Sequence, residues 1–270
     1  MKSNRYPPPP TCWQRAKVVI RAGLVVGLCV VLGPSVGWGA PGDLDLTFNA
    51  GGAINKEIRA IAVQTNGNIL IGGNFTAVHR ALRTGFARLN PDGSPDEAFN
   101  VVLGGSNPAI YAILNQAGGK YLIGGSFTSV NGIVRSNLAR LNFDGSVDLA
   151  YSNALTPVSL LARQEDGKVL VKEWGGRMAR YYEDGSLDES FLVLLEQGAL
   201  IHSMAIQDDG KILLAGIFNT VNGSPRSGLA RLNSDGSLDE SFLAEMSGPF
   251  PYTTLSVCVQ PDRKILVGGY

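Results

Sequence analysis

Residues 92–99 read Asp92-Gly93-Ser94-Pro95-Asp96-Glu97-Ala98-Phe99, an Asp-Gly-Ser-x-Asp turn followed by an aromatic residue. The element returns as Asp144-Gly145-Ser146 with Asp148 and Tyr151, as Asp184-Gly185-Ser186 with Asp188 and Phe191, and as Asp235-Gly236-Ser237 with Asp239 and Phe242. Gly42 to Phe48 is a degraded fifth copy. The aromatics at 48, 99, 151, 191 and 242 are spaced 51, 52, 40 and 51 residues apart. A recurring period of this size marks a repeat architecture, in which one unit buries its apolar face only against its neighbours.

Two further anchors recur between these turns. The first is a strand, a tight turn and a second strand: Ala60 to Gln64, then Thr65-Asn66-Gly67-Asn68, then Ile69 to Gly73. Its turns return at Ala117 to Lys120, Glu165 to Lys168, Asp208 to Lys211 and Pro261 to Lys264. Asn-Gly or Asp-Gly between apolar runs is a strong hairpin signal, because these residues tolerate positive φ. Each copy keeps a glutamine before the turn (Gln64, Gln116, Gln164, Gln207, Gln260) and a leucine after it (Leu70, Leu122, Leu170, Leu213, Leu266). The second anchor is a strand containing Ala-Arg, at Arg88, Arg140, Arg180 and Arg231.

Each unit thus offers three clear strands and a short fourth near the Asp-x-x-aromatic segment. Four strands at a period near 50 predict an all-β β-propeller of about four full blades plus one incomplete blade, with four antiparallel strands per blade. The second strands are apolar at successive positions, as in Ile69-Leu70-Ile71 and Ile212-Leu213-Leu214. A sheet with one wet face would alternate, so both faces are expected to be covered. The Gly pairs that follow suit a bulge or a crowded approach. In the third unit Lys172-Glu173-Trp174-Gly175-Gly176 replaces the Gly-Gly-x-Phe-Thr-x-Val-Asn-Gly segment and shortens a loop. Either the blade is trimmed on one rim, which would leave room for a binding notch, or Trp174 fills the space of the missing loop, and degeneracy of the repeat is the commoner cause of such a change.

Taken together, Leu-Asp-x-x-Phe, Ile-Ala-x-Gln-x-Asp-Gly-Lys-Ile-Leu, Gly-Gly-x-Phe-Thr-x-Val-Asn-Gly and Ala-Arg-Leu-Asn-x-Asp-Gly-Ser resemble the delta-60 repeat family over residues 43–270. The resemblance implies β-propeller repeats of large exported bacterial proteins. It implies no activity, so it transfers no catalytic residue. Kelch repeats share the period and the Gly pair, but the aromatics expected after the pair are missing from the first two copies.

The expected organisation is a secretory signal peptide over 1–39 and propeller repeats over 40–270, divided near 43–93, 94–145, 146–185, 186–236 and an incomplete 237–270. The leader has five basic residues and no acidic ones, an apolar or Gly run from Ala22 to Leu32, and small residues at Gly37 and Gly39. That run is too short to span a bilayer. The last unit stops after Val267-Gly268-Gly269-Tyr270, which suggests a fragment forming an open arc or imperfect ring.

Composition limits the chemistry. Beyond residue 40 there are 18 basic and 23 acidic groups, no electrostatic footprint for nucleic acid. Cys258 is the one cysteine there, in an alternating apolar run, and reads as a small buried hydrophobe. His79 and His202 have no motif around them, and His79 falls where other units carry Asn-Gly, as expected of a solvated loop. The aspartate pairs Asp92/Asp96, Asp144/Asp148, Asp184/Asp188 and Asp235/Asp239 are candidates for Ca²⁺, but a turn in which Asp bonds its own backbone explains them better. The repeated arginines could ring an anion, and more simply mark one structural position per blade. The repeated glutamines are expected to bond the hairpin loop. Glu196 and Glu245 are acids outside the repeat.

The sequence therefore assigns no catalytic, cofactor-binding or metal-ligating residue. It is read as a non-catalytic secreted or cell-surface module that binds or scaffolds an unknown protein or glycan, with no nucleic-acid partner and no membrane span in the mature chain. The alternatives are an extracellular polysaccharide-active hydrolase or lyase using funnel carboxylates, and a purely structural segment of a longer surface protein.

Overall fold

The computed structural model describes Phe48 and residues 54–151, 155–244 and 254–269. The leader lies outside the described residues. The fold is an all-β propeller built of small antiparallel sheets. In the first unit β1 (Ile58–Val63), β2 (Ile69–Gly73) and β5 (Phe86–Leu89) form one sheet, with β3 (Ala77–Val78) and β4 (Ala81–Leu82) as a small hairpin on the β2–β5 connection. The second unit comprises β6 (Leu103–Gly104), β7 (Ala109–Asn115), β8 (Tyr121–Ser126), β9 (Ser129–Val130), β10 (Ile133–Val134) and β11 (Leu138–Leu141). The third has β12 (Val158–Arg163), β13 (Val169–Glu173) and β14 (Met178–Tyr181). The fourth has β15 (Leu200–Ile206), β16 (Ile212–Ile217), β17 (Thr220–Val221), β18 (Ser224–Pro225) and β19 (Leu229–Leu232), and the fifth β20 (Thr254–Val259) and β21 (Ile265–Gly269).

The fourth strand of each complete unit is reduced to one bridge: Leu89 to Pro95, Leu141 to Val147, Tyr181 to Leu187 and Leu232 to Leu238. The ladder stops because the chain turns at once. Asp96 N–H donates to the Arg88 carbonyl at 2.9 Å, and Phe99 N–H then donates to the Asp96 carbonyl at 3.2 Å. This turn sends the aromatic inward, and Phe99 is 1% exposed.

The first strands β1, β7, β12, β15 and β20 each pack against the next one in order. Apolar clusters consequently lie between units. Leu70 and Phe86 join Ile110, Tyr121 and Ile123; Leu122 and Leu138 join Val158 and Leu161; Leu160 and Leu170 join Ile201 and Ile212; Leu213 and Leu229 join Val257. The second strands are covered on both faces, as their continuous apolarity requires. On β21, which pairs only with β20 among the described residues, Leu266 and Val267 are exposed. Cys258 on β20 is also exposed, contrary to the buried role its apolar run suggested, because it pairs across to the uncovered Leu266.

Each first strand slips by one residue against its second strand. The bulged residues are Arg59, Tyr111, Ser159, His202 and Leu255. Opposite the slip, a Cβ on Gly73, Gly125 or Gly216 would stand 2.0 Å from the carbonyl oxygen of Glu57, Ala109 or Leu200. The Gly pair therefore serves both expected purposes: the second glycine admits the bulge and the first admits the next unit. A Cβ on Gly72 would meet Ile110 Cγ2 at 2.6 Å, and one on Gly124 would meet Val158 Cγ1 at 2.6 Å.

Candidate functional site

The repeated polar residues connect one blade to the next. Nε of Arg88, Arg140, Arg180 and Arg231 donates to the second aspartate of its own unit, at 2.7, 2.7, 2.8 and 2.8 Å. Each guanidinium also lies over the aromatic of its unit, at 4.2 Å for Phe99, 4.7 Å for Tyr151, 4.7 Å for Phe191 and 4.5 Å for Phe242. A third contact leaves the unit: Arg88, Arg140 and Arg180 donate through NH1 to the carbonyls of Phe143, Glu183 and Ser234, each just before the next Asp-Gly-Ser turn. The arginines thus staple consecutive blades.

The aromatics complete the same joint. Gly145 sits at φ +90°, and a Cβ there would stand 2.9 Å from the Phe99 ring of the preceding unit. Gly185 and Gly236 face Tyr151 and Phe191 in the same way. One glycine therefore satisfies the turn and the close approach together.

The first aspartates cap their own turns. Oδ1 of Asp92, Asp144, Asp184 and Asp235 accepts from the N–H and the hydroxyl of the serine two residues on. The two aspartates of a pair are thus committed to different donors. The glutamines differ from expectation. Their backbones close the hairpin, as when Gly67 N–H donates to the Gln64 carbonyl, but the Gln164 side chain reaches the next blade and donates to the Ser234 carbonyl at 3.0 Å. Glu196 accepts from the N–H groups of Asn219 and Thr220 and from the Thr220 hydroxyl, which fixes the β17 hairpin. Glu245 lies outside the described residues. His79 occupies a hairpin turn at φ +50°, where Asn131 and Asn222 stand in units two and four.

Three of the second aspartates, Asp148, Asp188 and Asp239, lie below the ordinary carboxylate range. Asp148 is held at about 2, first by the Lys120 ammonium and then by Arg140, against the opposing effect of burial. Asp188 is lowered further by the Ser190 hydroxyl, Lys168 and Arg180, and Asp239 by Lys211, Ser241 and Arg231. Between the folded and unfolded values the unfolded chain binds more protons, so stability falls as pH falls. The contribution is complete above the unfolded value of 3.8 and is lost as pH drops toward about 2. Asp148 alone contributes on the order of 2 kcal/mol. Urea midpoints are expected to hold from neutrality to about pH 5 and to decline steeply between about pH 4 and 2. A midpoint that rises over that range would contradict the assignment.

The chemistry that differs between blades collects on one rim. Register places each bulged residue opposite the end of a second strand, at the edge where units one, two and four carry the β3–β4, β9–β10 and β17–β18 hairpins. The third unit has only a turn from Trp174 to Arg177 there. Trp174 is 50% exposed and stacks on Tyr111 of the preceding unit, with ring centroids 5.5 Å apart and planes 17° apart. Arg59 of the first unit lies over the Tyr111 ring at 5.6 Å. Beneath the turn, Lys172 and Glu173 occupy the Gly-Gly positions and are buried. Glu173 accepts from the Thr156 N–H and hydroxyl and from Arg177 at 3.1 Å. The third loop is therefore short, as its sequence indicates, and the rim there displays an aromatic stack. Sequence reasoning singled out Trp174 by its broken repeat, but it missed Tyr111 and Arg59, whose meeting depends on the bulges.

A depression of about 360 Å³ is lined by Ser190, Leu192, Leu194, Asn222, Asp235 and Ser237. Its polar side chains are engaged locally: Ser190 with Asp188, Asn222 with Leu194 and Gly236, and Ser237 with Asp235.

Residues 64–99, 116–151 and 207–242 match the family model described as a domain of unknown function (DUF5122) beta-propeller. Three units of this chain match that model. Each matched segment runs from the repeated glutamine to the aromatic of its unit, which agrees with the delta-60 resemblance. No curated protein sequence matches the chain. Among solved structures, the chain shares its fold with virginiamycin B lyase from Staphylococcus aureus, at 14% identity and a TM-score of 0.53, over 78% of this chain and 62% of that one. A gluconolactonase from Xanthomonas campestris matches at 14% identity and a TM-score of 0.50, over 78% of this chain and 69% of that one. The chain spans less than two thirds of the lyase, and likeness at this identity concerns the fold. Among the described residues no helix is long and apolar enough to cross a membrane.

Proposed function

We propose that this β-propeller repeat domain is a non-catalytic, exported binding module that presents its notched rim to a protein or glycan partner outside the cell. The observation that carries the reading is the division of labour among its polar residues. The repeated Arg, Asp, Ser and Gln side chains serve turns and blade joints, while Tyr111 and the half-exposed Trp174 stack at positions where the other units carry different residue types. A large aromatic held rigidly in solvent is characteristic of recognition surfaces. The basic, apolar leader supports export.

The test is to incubate the full chain with defined polysaccharides, simple esters and purified surface proteins, measuring both retention and chemical turnover. Saturable retention without consumption is expected. Turnover that one point substitution abolishes would replace this reading with an enzymatic one.

A further inference from the structure

We infer that the notched rim is a carbohydrate subsite, in which the open face of Trp174 receives the C–H face of a pyranose ring. The inference rests on the binding reading above and names its ligand class.

Trp174 is positioned before any ligand arrives. Its ring rests on Tyr111, which a β-bulge turns out of the first strand of the second unit. Arg59 lies over the same tyrosine from the first unit. Units one, two and three thus contribute Arg59, Tyr111 and Trp174 to one stack, with the tyrosine between its neighbours. Half of Trp174 remains in solvent although the stack fixes its plane. A preorganised ring of this kind gives up little conformational entropy on binding.

The polar half of the site is built as firmly. Arg177 closes the same turn, with its side chain 55% exposed, and is anchored on Glu173, whose side chain is 2% exposed. The Glu173 carboxylate is held in turn by Thr156. A guanidinium has five donors in a rigid fork, so one anchored on a buried carboxylate can offer others to a ligand. A pyranose matches both halves: its axial C–H groups form an apolar face with a partial positive charge that suits the electron-rich face of an indole. Its equatorial hydroxyls, or the carboxylate of a uronic acid, accept from guanidinium donors.

The hairpins explain why the site belongs to the third unit. Elsewhere on this rim two short strands extend the β2–β5, β8–β11 and β16–β19 connections. The turn from Trp174 to Arg177 removes that cover.

The experiment is a glycan array carrying neutral pyranose oligosaccharides in one arm and uronate oligosaccharides in the other, probed with the full chain. Hits are then titrated by fluorescence. Trp174 is the one tryptophan beyond residue 40, so the difference between wild type and Trp174→Phe isolates its signal. At least one arm should bind, with a change in that difference signal. Trp174→Ala should weaken binding about 10-fold or more, and Tyr111→Ala by less, with thermal melts close to wild type. Trp174→Phe should retain part of the affinity, which separates loss of the ring from loss of fold. Binding confined to uronates would assign the Arg177 contact to a carboxylate, and binding to both arms would assign it to hydroxyls. An array with no pyranose hit overturns the subsite, as does a hit that Trp174→Ala leaves unchanged. In the second case the binding reading survives, and in the first it rests on retention of a purified protein.

Discussion

Arg180→Ala is expected to lower the unfolding free energy by about 3–4 kcal/mol, among the largest effects of any single side-chain truncation in this fold. The guanidinium is buried and does three things at once. It bonds Asp188 at 2.8 Å, covers the Phe191 ring at 4.7 Å and donates to the Ser234 carbonyl of the next unit at 2.6 Å. Truncation takes one of two donors from the Ser234 carbonyl, which keeps Gln164 Nε2, and removes the cation from a carboxylate whose side chain is 1% exposed. Lys168 stays within 3.1 Å of Asp188, which keeps the loss below that of a fully abandoned charge. Arg180→Lys should recover little, because an ammonium cannot bond the carboxylate, cover the ring and reach the next blade together. Urea denaturation is the measurement. A loss under about 1 kcal/mol would place Arg180 with ordinary surface ion pairs and remove the staple from the account.

Gly125→Ala is expected to cost about 3 kcal/mol or more. The added Cβ would stand 2.0 Å from the Ala109 carbonyl oxygen and 2.9 Å from Ile110 Cα. Both neighbours are backbone of the paired strand, so no rotamer change relieves the clash. The strand pair must open at the bulge that sets Tyr111, and binding at the rim should weaken along with stability. Gly216→Ala, with its Cβ 2.0 Å from the Leu200 carbonyl oxygen, should behave alike. The third unit tolerates Glu173 at this position, where its hairpin is replaced by a tight turn. Chemical denaturation measures both variants, and a change within about 0.5 kcal/mol would contradict the bulge assignment.

The blade was legible because its residues answer local demands that recur. Asn66-Gly67 sets a hairpin, Asp92 caps Ser94, and Leu70 lies between two sheets; each can be inferred from turn chemistry or from hydrophobic pattern. The joint between blades was less legible. Arg88 and Phe143 are 55 residues apart and meet through a backbone carbonyl, which carries no sequence signal of its own. Their periodicity pointed to a structural position without naming the partner. The glutamines do bond their own hairpins through the backbone, but the reach of the Gln164 side chain to Ser234 across a blade boundary was hidden for the same reason. Cys258 was read as buried because an alternating apolar run predicts a covered face, yet nothing among the described residues covers that edge. The rim site was legible only in part. Trp174 broke a repeat and could be noticed, whereas Tyr111 and Arg59 lie in regular strands and reach the rim through a one-residue slip in register.

The most direct test of the account compares one repeat position in two settings. Gly124 and Gly268 occupy equivalent places in β8 and β21. A Cβ on Gly124 would meet Val158 of the next unit at 2.6 Å, while one on Gly268 would meet nothing within 4 Å among the described residues. If sheets bury their apolar strands by stacking on the following unit, Gly124→Val should lose about 3 kcal/mol in urea denaturation and Gly268→Val should stay within about 0.5 kcal/mol of wild type. Equal losses at the two positions would mean that the cost arises inside each unit, and stacking between units would no longer explain how this chain folds.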